Sequence, residues 1–144
     1  LHAKKNNLKI NYLCSSPEKL NIKKKFDMII IFEVLEHLND WQIFLKKITH
    51  NLKNNGKIII STINRNFFSK YLAIYIAENF LKWIPKGTHT YDKFIKPNEI
   101  KNCMQLNNFK LKDITGLVFD PINYGWKMSY NTSVNYFCTY EKVS

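Results

Sequence analysis

Two continuous apolar runs, with a helical pattern between them, constrain the fold of this chain more than any other feature. Residues 26–32 read Phe-Asp-Met-Ile-Ile-Ile-Phe, and residues 57–62 read Lys-Ile-Ile-Ile-Ser-Thr. Such runs are typical of parallel strands that are covered on both faces. Between them, apolar residues recur at helical spacing over residues 41–52, and the Asn-Asn-Gly sequence at 54–56 is expected to end that helix. The order strand, helix, strand therefore predicts a right-handed crossover within a parallel sheet.

The rest of the chain predicts a mixed ending to this sheet. Residues 9–13 alternate between polar and apolar and predict a short strand ahead of the crossover. A further helix is predicted to begin at Pro97, because proline suits the first turn of a helix. Residues 109–115 and 133–140 also alternate, and they predict two strands joined through residues 116–132. A chain of 144 residues with this order of elements predicts one domain of the α/β class.

The composition narrows the possible functional classes. The formal net charge is +11, yet 21 of the 22 basic residues are lysines and Arg65 is the one arginine. Proteins that read nucleic acids depend on the planar fork of arginine, so we predict no nucleic-acid binding and expect the charge to favour anionic surfaces such as membranes. The three cysteines are far apart and form no C-x-x-C pair, which excludes a disulfide framework and a zinc site of that kind. A reducing cytoplasm is the expected location.

The sequence Glu33-Val34-Leu35-Glu36-His37 directly follows the first buried run. Ligands of open α/β sheets bind beyond the carboxyl ends of the strands, so a site is expected here. If a helical turn begins at Glu33, then Glu33, Glu36 and His37 lie on one face of it. They could hold a divalent cation, or the carboxylates could favour the proton of His37 so that it acts as a base near neutral pH. A structural reading is also open, because acidic residues near a helix N-terminus are stabilising by themselves.

The interruption at residues 64–96 is predicted to be an insertion that covers the site or contacts a membrane. Its middle, residues 71–83 from Tyr71 to Trp83, is mostly apolar and aromatic, with lysines around it. That composition suits a helix in a membrane interface, with aromatic rings at the depth of the headgroups. An ordinary buried helix is the alternative. The stretch is too short and too polar to span a bilayer.

Several segments together resemble one family. Residues 26–37 resemble the fourth-strand motif of class I methyltransferases, and residues 52–62 resemble their fifth-strand motif. Five further segments resemble, in this order, the O-methyltransferases of ubiquinone biosynthesis. They are Ser-Thr-Ile-Asn-Arg-Asn at 61–66, Pro-Lys-Gly-Thr-His at 85–89, Lys-Phe-Ile-Lys-Pro at 93–97, Ile-Thr-Gly at 114–116 and Val-Asn-Tyr at 134–136. The resemblance covers nearly the whole chain.

The resemblance implies a fold, a reaction and a set of site residues. The fold is a Rossmann-like class I methyltransferase sheet with an antiparallel last strand. The reaction transfers the methyl group of S-adenosylmethionine to a hydroxyl of a polyprenylated catechol or hydroxyphenol. Phe32 matches a position against the cofactor, and Glu33, Glu36 and His37 match proposed ligands of a divalent metal, Mg²⁺. Where no metal binds, His37 is the candidate catalytic base.

The resemblance also implies partners and a location. The partners are the polyprenyl phenol or quinol substrate, a membrane surface contacted by residues 71–83, and other proteins of ubiquinone biosynthesis. The location is cytoplasmic and peripheral to the inner membrane.

The sequence departs from that family in its glycines. The four glycines are isolated and no G-x-G occurs, so the glycine-rich turn that approaches the cofactor has no counterpart. We therefore expect residues 1–144 to be the C-terminal part of a methyltransferase domain, without the N-terminal cofactor-binding strands and with impaired activity. The alternative is a non-catalytic remnant, or a module that binds a membrane or a quinone-biosynthesis complex.

Overall fold

The computed structural model describes residues 2–15, 25–71, 90–120 and 122–143. Its strands are β1 (Phe26–Phe32), β2 (Leu52–Ile63), β3 (Phe109–Asp120), β4 (Gly125–Ser129) and β5 (Asn135–Lys142). Its α-helices are α1 (His2–Lys5), α2 (Trp41–Thr49), α3 (Phe67–Ser69) and α4 (Pro97–Leu106). Short 3₁₀ turns lie at Leu35–His37 and Tyr91–Lys93.

The described strands form one mixed sheet in the order β1-β2-β5-β3-β4. β1 pairs with β2 in parallel, and α2 lies between them in the sequence, as the crossover prediction requires. β5 lies between β2 and β3 and is antiparallel to both, while β3 and β4 form an antiparallel hairpin. The predicted fold class is confirmed, because a parallel first pair and an antiparallel last strand are what the C-terminal part of such an α/β sheet requires.

Helices α2 and α4 cover one face of this sheet. Phe44 and Leu45 of α2 and Ile100 and Met104 of α4 are buried, in agreement with the helical spacing of the sequence. Burial of each such side chain contributes about 1.5–3 kcal/mol relative to exposure. The strand residues that share their core are Ile31, Leu52, Ile58, Ile60, Phe109, Tyr136, Cys138 and Tyr140. The sheet is therefore anchored mainly from this side.

The opposite face of β1 is open in the part of the chain that the structure describes. Side chains alternate along a strand, so Met28, Ile30 and Phe32 share this face, and they are 47%, 55% and 53% exposed. Ile31, which faces the helices, is 4% exposed. The expectation of a strand covered on both faces is therefore wrong for the described residues. The reason is that β1 is an outermost strand of the described sheet, and α2 and α4 pack against the face that carries Ile31.

Four other expectations need correction or fall outside the described residues. Residues 9–13 are not a strand, because alternation alone makes no ladder without a neighbouring strand.

Helix α2 ends at Thr49, and the Asn-Asn-Gly sequence lies inside β2. Asn55 has a φ of 59° there, and the pairing of β2 with β1 shifts register. β4 was not expected within residues 116–132. Of the predicted insertion at 64–96, residues 72–89 lie outside the described residues.

Candidate active site

The chain turns sharply at the end of β1, where Glu33 follows Phe32. The φ of Glu33 is 50°, in the left-handed region that few non-glycine residues adopt. Its backbone N–H donates to the carbonyl oxygen of Ser61 at 3.1 Å, so β2 holds the turn in place. Non-glycine residues in this conformation persist where the surrounding structure fixes them, and they cluster at functional sites. The turn lies at the carboxyl edge of the parallel pair, which is where the sequence predicts a site.

The carboxylate of Glu33 is exposed but held in position by two other strands. The hydroxyl of Ser61 in β2 donates to Oε1 at 2.7 Å, and Nδ2 of Asn135 in β5 lies 3.5 Å from Oε2. The side chain remains open to solvent. A fixed, accessible carboxylate at this edge can accept hydrogen bonds from a ligand hydroxyl.

Glu36 has the opposite environment. It is 2% exposed, and the hydroxyl of Thr62 donates to its Oε2 at 2.6 Å. Its Oε1 is buried and has no hydrogen-bond partner among the described residues. Leaving a buried polar atom unpaired has a cost, so this carboxyl depends strongly on Thr62. Glu36 therefore anchors the 3₁₀ turn to β2 from inside the core.

The structure does not assemble Glu33, Glu36 and His37 into the predicted metal site. The helical turn spans Leu35–His37, so Glu33 precedes it, and the premise that the three residues share one helical face is wrong. Glu33 is bound to Ser61 and Glu36 to Thr62, which are consecutive in β2 and point to opposite faces of the sheet. Within the described ranges, no group of three or more His, Cys, Asp or Glu side chains could hold a metal ion.

His37 and Phe32 are both exposed at this edge. His37 ends the 3₁₀ turn, and its backbone N–H donates to the carbonyl of Val34 at 3.0 Å. The ring of Phe32 packs edge-to-face against Phe137 of β5, with centroids 5.4 Å apart. Because that contact uses part of the ring and the side chain is 53% exposed, Phe32 can still contact a planar ligand.

Arg65 joins the end of β2 to the segment that precedes α4. Its Nη1 donates to the carbonyl oxygen of Phe94 at 3.1 Å, and its Nη2 is paired with Glu99. The other carboxylate oxygen of Glu99 accepts from the backbone N–H of Lys96 at 2.7 Å and so caps α4. The one arginine of the chain is thus a structural clamp beside the site.

Sequence reasoning missed the residues that hold the site. Ser61 and Thr62 are the polar end of an otherwise apolar run, and that change from apolar to polar at a carboxyl edge was the available signal. Asn135 could not be found in this way, because it lies 102 residues from Glu33 and only the pairing of β5 with β2 brings it near.

Comparison with known proteins decides the family. Residues 3–114 match the sequence model of a family described as a methyltransferase domain. The chain belongs to this methyltransferase domain family. The match includes the Glu33 turn and β2, whereas Asn135 and Phe137 of β5, which contact the candidate site of this methyltransferase domain, lie beyond the matched residues.

The relatives of this methyltransferase domain agree with the resemblance stated from its sequence. It is 45% identical, over 98% of its length, to a ubiquinone biosynthesis O-methyltransferase of Pelagibacter ubique (strain HTCC1062), and covers 59% of that protein. It is 45% identical, over 94% of its length, to one of Rickettsia akari (strain Hartford), and covers 54% of that protein. The chain thus spans little more than half the length of these relatives.

Solved structures confirm the fold. A SAM-dependent methyltransferase of Thermotoga maritima, described as a possible histamine N-methyltransferase, matches 97% of this chain with a TM-score of 0.67 and 17% identity. A magnesium protoporphyrin IX methyltransferase of Synechocystis PCC 6803 with bound SAH matches 89% of the chain with a TM-score of 0.56 and 12% identity. Among the described helices, none is long and apolar enough to cross a membrane.

Proposed function

We propose that this methyltransferase domain serves the S-adenosylmethionine-dependent O-methylation of a polyprenylated catechol or hydroxyphenol in ubiquinone biosynthesis. The observation that carries the proposal is the identity of 45%, over 98% of this chain, to a protein named ubiquinone biosynthesis O-methyltransferase. The chain covers 59% of that relative, so the proposal concerns the activity to which residues 1–144 contribute.

The residues at the carboxyl edge fit one wall of a cofactor pocket. Phe32 offers an exposed aromatic face at the end of β1. S-adenosylmethionine, when bound, supplies a methyl group that is already activated on a sulfonium. The protein then has to align the acceptor oxygen and remove one proton. The sequence contains no G-x-G, so we expect the chain by itself to bind the cofactor weakly.

His37 is the proposed base and Glu33 the proposed positioning carboxylate. Both are exposed at the edge where the acceptor must lie, and Ser61 fixes the orientation of Glu33. The imidazole is the side chain whose ordinary pKa suits proton transfer near neutral pH. Since the predicted metal ligands do not converge, no step is assigned to Mg²⁺. Glu36 is buried and bound to Thr62, so its proposed role is to position the turn that carries His37.

A membrane-peripheral, cytoplasmic location is part of the same proposal. A polyprenyl tail partitions into a bilayer, so an enzyme that acts on it has to meet it at the membrane surface. The predicted contact, residues 71–83, lies outside the described residues except for Tyr71, which is 53% exposed. Contact with other ubiquinone-biosynthesis proteins also remains a prediction.

Two measurements on the folded chain test the proposal. The first is a calorimetric titration with S-adenosylhomocysteine, for which we expect weak but measurable binding. The second is transfer of a labelled methyl group from S-adenosylmethionine to a short-tailed demethylubiquinol analogue. His37→Ala is expected to abolish the transfer that the chain supports, whereas His50→Ala, which alters an exposed histidine after α2, is not.

The outcomes separate the two candidate functions. Transfer that is lost in His37→Ala and kept in His50→Ala supports the enzyme. A folded chain that neither binds S-adenosylhomocysteine nor transfers a methyl group would instead favour the non-catalytic remnant or binding module. Transfer that survives in His37→Ala would remove His37 from the chemistry and leave Glu33 as the candidate base.

A further inference from the structure

The β3–β4 hairpin extends past the other strands at the edge that carries the candidate site. Leu117 pairs with Asn135, which is also opposite the last residue of β2, Ile63. Beyond Leu117, β3 continues to Asp120 and pairs with β4 alone. Three residues of strand project about 10 Å. β3 runs in the same direction as β1 and β2, so the hairpin rises from the carboxyl edge, where Glu33 lies.

The hairpin exposes large apolar and aromatic side chains. Ile122 at the tip is 90% exposed, and Tyr124 and Trp126 are 78% and 60% exposed. The ring of Phe119 packs edge-to-face against Tyr124 and Trp126, with centroid separations of 5.6 and 5.4 Å. The aromatic rings thus support one another while a large part of their surface faces outward. Exposed clusters of this kind mark contact surfaces.

The acidic residue at the end of β3, Asp120, is compensated within the hairpin itself. Oδ1 of Asp120 accepts from the backbone N–H of Ile122 at 3.0 Å. Its Oδ2 accepts from Nδ2 of Asn123 at 3.0 Å and from Nζ of Lys127 at 3.1 Å. Lys127 therefore neutralises the charge of Asp120 beside the exposed side chain of Ile122.

A second group of exposed rings lies at the same edge. Helix α3 follows the carboxyl end of β2, and its Phe67 and Phe68 are 83% and 52% exposed. Asn66, which caps α3, donates to the carbonyl oxygen of Ser133 at 2.6 Å and so ties α3 to the chain segment between β4 and β5. The β3–β4 hairpin and α3 thus both expose large apolar side chains at this edge of the sheet.

We propose that the β3–β4 hairpin inserts Ile122, Tyr124 and Trp126 into the headgroup region of an anionic lipid bilayer, with the Glu33 edge turned toward the membrane. Tryptophan and tyrosine are enriched at this depth, because each combines an apolar ring with a polar group. The formal net charge of +11 complements anionic headgroups. This contact is separate from the one predicted for residues 71–83, and it does not depend on methyl transfer.

The test is sedimentation of the whole chain with vesicles of phosphatidylcholine, with and without added phosphatidylglycerol. We expect binding to vesicles that contain phosphatidylglycerol, and Ile122→Ser/Trp126→Ser is expected to weaken it about tenfold because it removes buried apolar area. Leu106→Ser is the matched control, since Leu106 is 87% exposed and ends α4, just ahead of the start of β3 and far from the hairpin tip. Circular dichroism establishes that each variant is folded.

A second measurement locates the contact. In the variant Trp41→Phe/Trp83→Phe, Trp126 is the remaining tryptophan, and lipids brominated on the acyl chain are expected to quench its fluorescence. The proposal is overturned if the chain does not bind the vesicles, if Ile122→Ser/Trp126→Ser binds as tightly as Leu106→Ser, or if Trp126 is not quenched. It is also overturned if sedimentation velocity shows that the hairpin mediates self-association instead. None of these results affects the proposed methyl transfer, which is assayed without vesicles.

Discussion

The hydroxyl of Thr62 donates a hydrogen bond of 2.6 Å to Oε2 of Glu36, and both side chains are buried. Thr62→Val removes this donor at nearly constant volume and leaves both oxygens of Glu36 without a hydrogen bond from a described side chain. We expect the free energy of unfolding to fall by about 1–3 kcal/mol, measured in urea. Thr139→Val in β5 makes the same chemical change at a half-buried position and serves as the control. Equal effects of the two substitutions would contradict the anchoring role.

Arg65 donates to the carbonyl oxygens of Asp92 and Phe94 and to the carboxylate of Glu99, so lysine should replace it poorly. Arg65→Lys keeps the charge but loses the fork that reaches the carbonyl of Phe94 and the carboxylate of Glu99 together. A loss of about 1–2 kcal/mol in the free energy of unfolding is expected from urea titration. Lys101→Arg on the exposed side of α4 should change stability by less than about 0.5 kcal/mol. A tolerated Arg65→Lys would show that charge alone maintains the clamp.

The three thiols should differ in reactivity. Cys14 is exposed, whereas Cys103 and Cys138 are buried. Burial raises the pKa of both buried thiols, and that of Cys138 reaches about 12. The thiolate is the reactive form, so one thiol of the native chain should react rapidly with Ellman's reagent and the other two only after unfolding. Cys14→Ser should remove the rapid phase, and a rapid phase that survives it would contradict the burial of the other two.

The contribution of Asp120, at the end of β3, to the stability of the fold should depend on pH. Hydrogen bonds from Asn123, and then from Lys127, lower the pKa of Asp120 to about 2. A carboxyl whose pKa is lowered on folding stabilises the fold above its unfolded pKa of about 4, and this contribution is lost as the pH falls through the folded value. The stability difference between the natural chain and Asp120→Asn should therefore be constant above pH ~4 and shrink toward pH ~2. A difference that grows on acidification would reverse the sign and contradict this account.

The elements that the sequence predicts correctly are those whose pattern has one physical meaning. The apolar run of β1, the helical spacing of α2 and the proline that starts α4 each give one element, and each is present. The Asn-Asn-Gly sequence has two meanings. It indicates a break in regular structure, and the break occurs as an irregular pairing inside β2 instead of a helix end, because Asn55 can adopt a φ of 59° there.

The hairpin and the geometry of the site depend on contacts that the sequence does not reveal. β4 reads Gly-Trp-Lys-Met-Ser, which alternates over only five residues, and its apolar side chains Trp126 and Met128 are 60% and 61% exposed, so β4 is not the half-buried strand that such alternation predicts. Whether Glu33 and Glu36 lie on one face depends on where the helical turn begins. The sequence analysis places its start at Glu33, but the turn begins two residues later, at Leu35, so Glu33 lies outside it. Such boundaries are the least certain part of reading a sequence.

The central position of β5 has a consequence for how this chain is made. β5 is the last of the described strands in sequence, yet it lies between β2 and β3 and pairs with both along most of its length. During synthesis β2 and β3 therefore both leave the ribosome before the strand that joins them, and each exposes an unpaired edge in the meantime. The nascent chain is consequently expected to need protection by chaperones until residues 135–142 emerge, and stalling before that point should yield an aggregation-prone product.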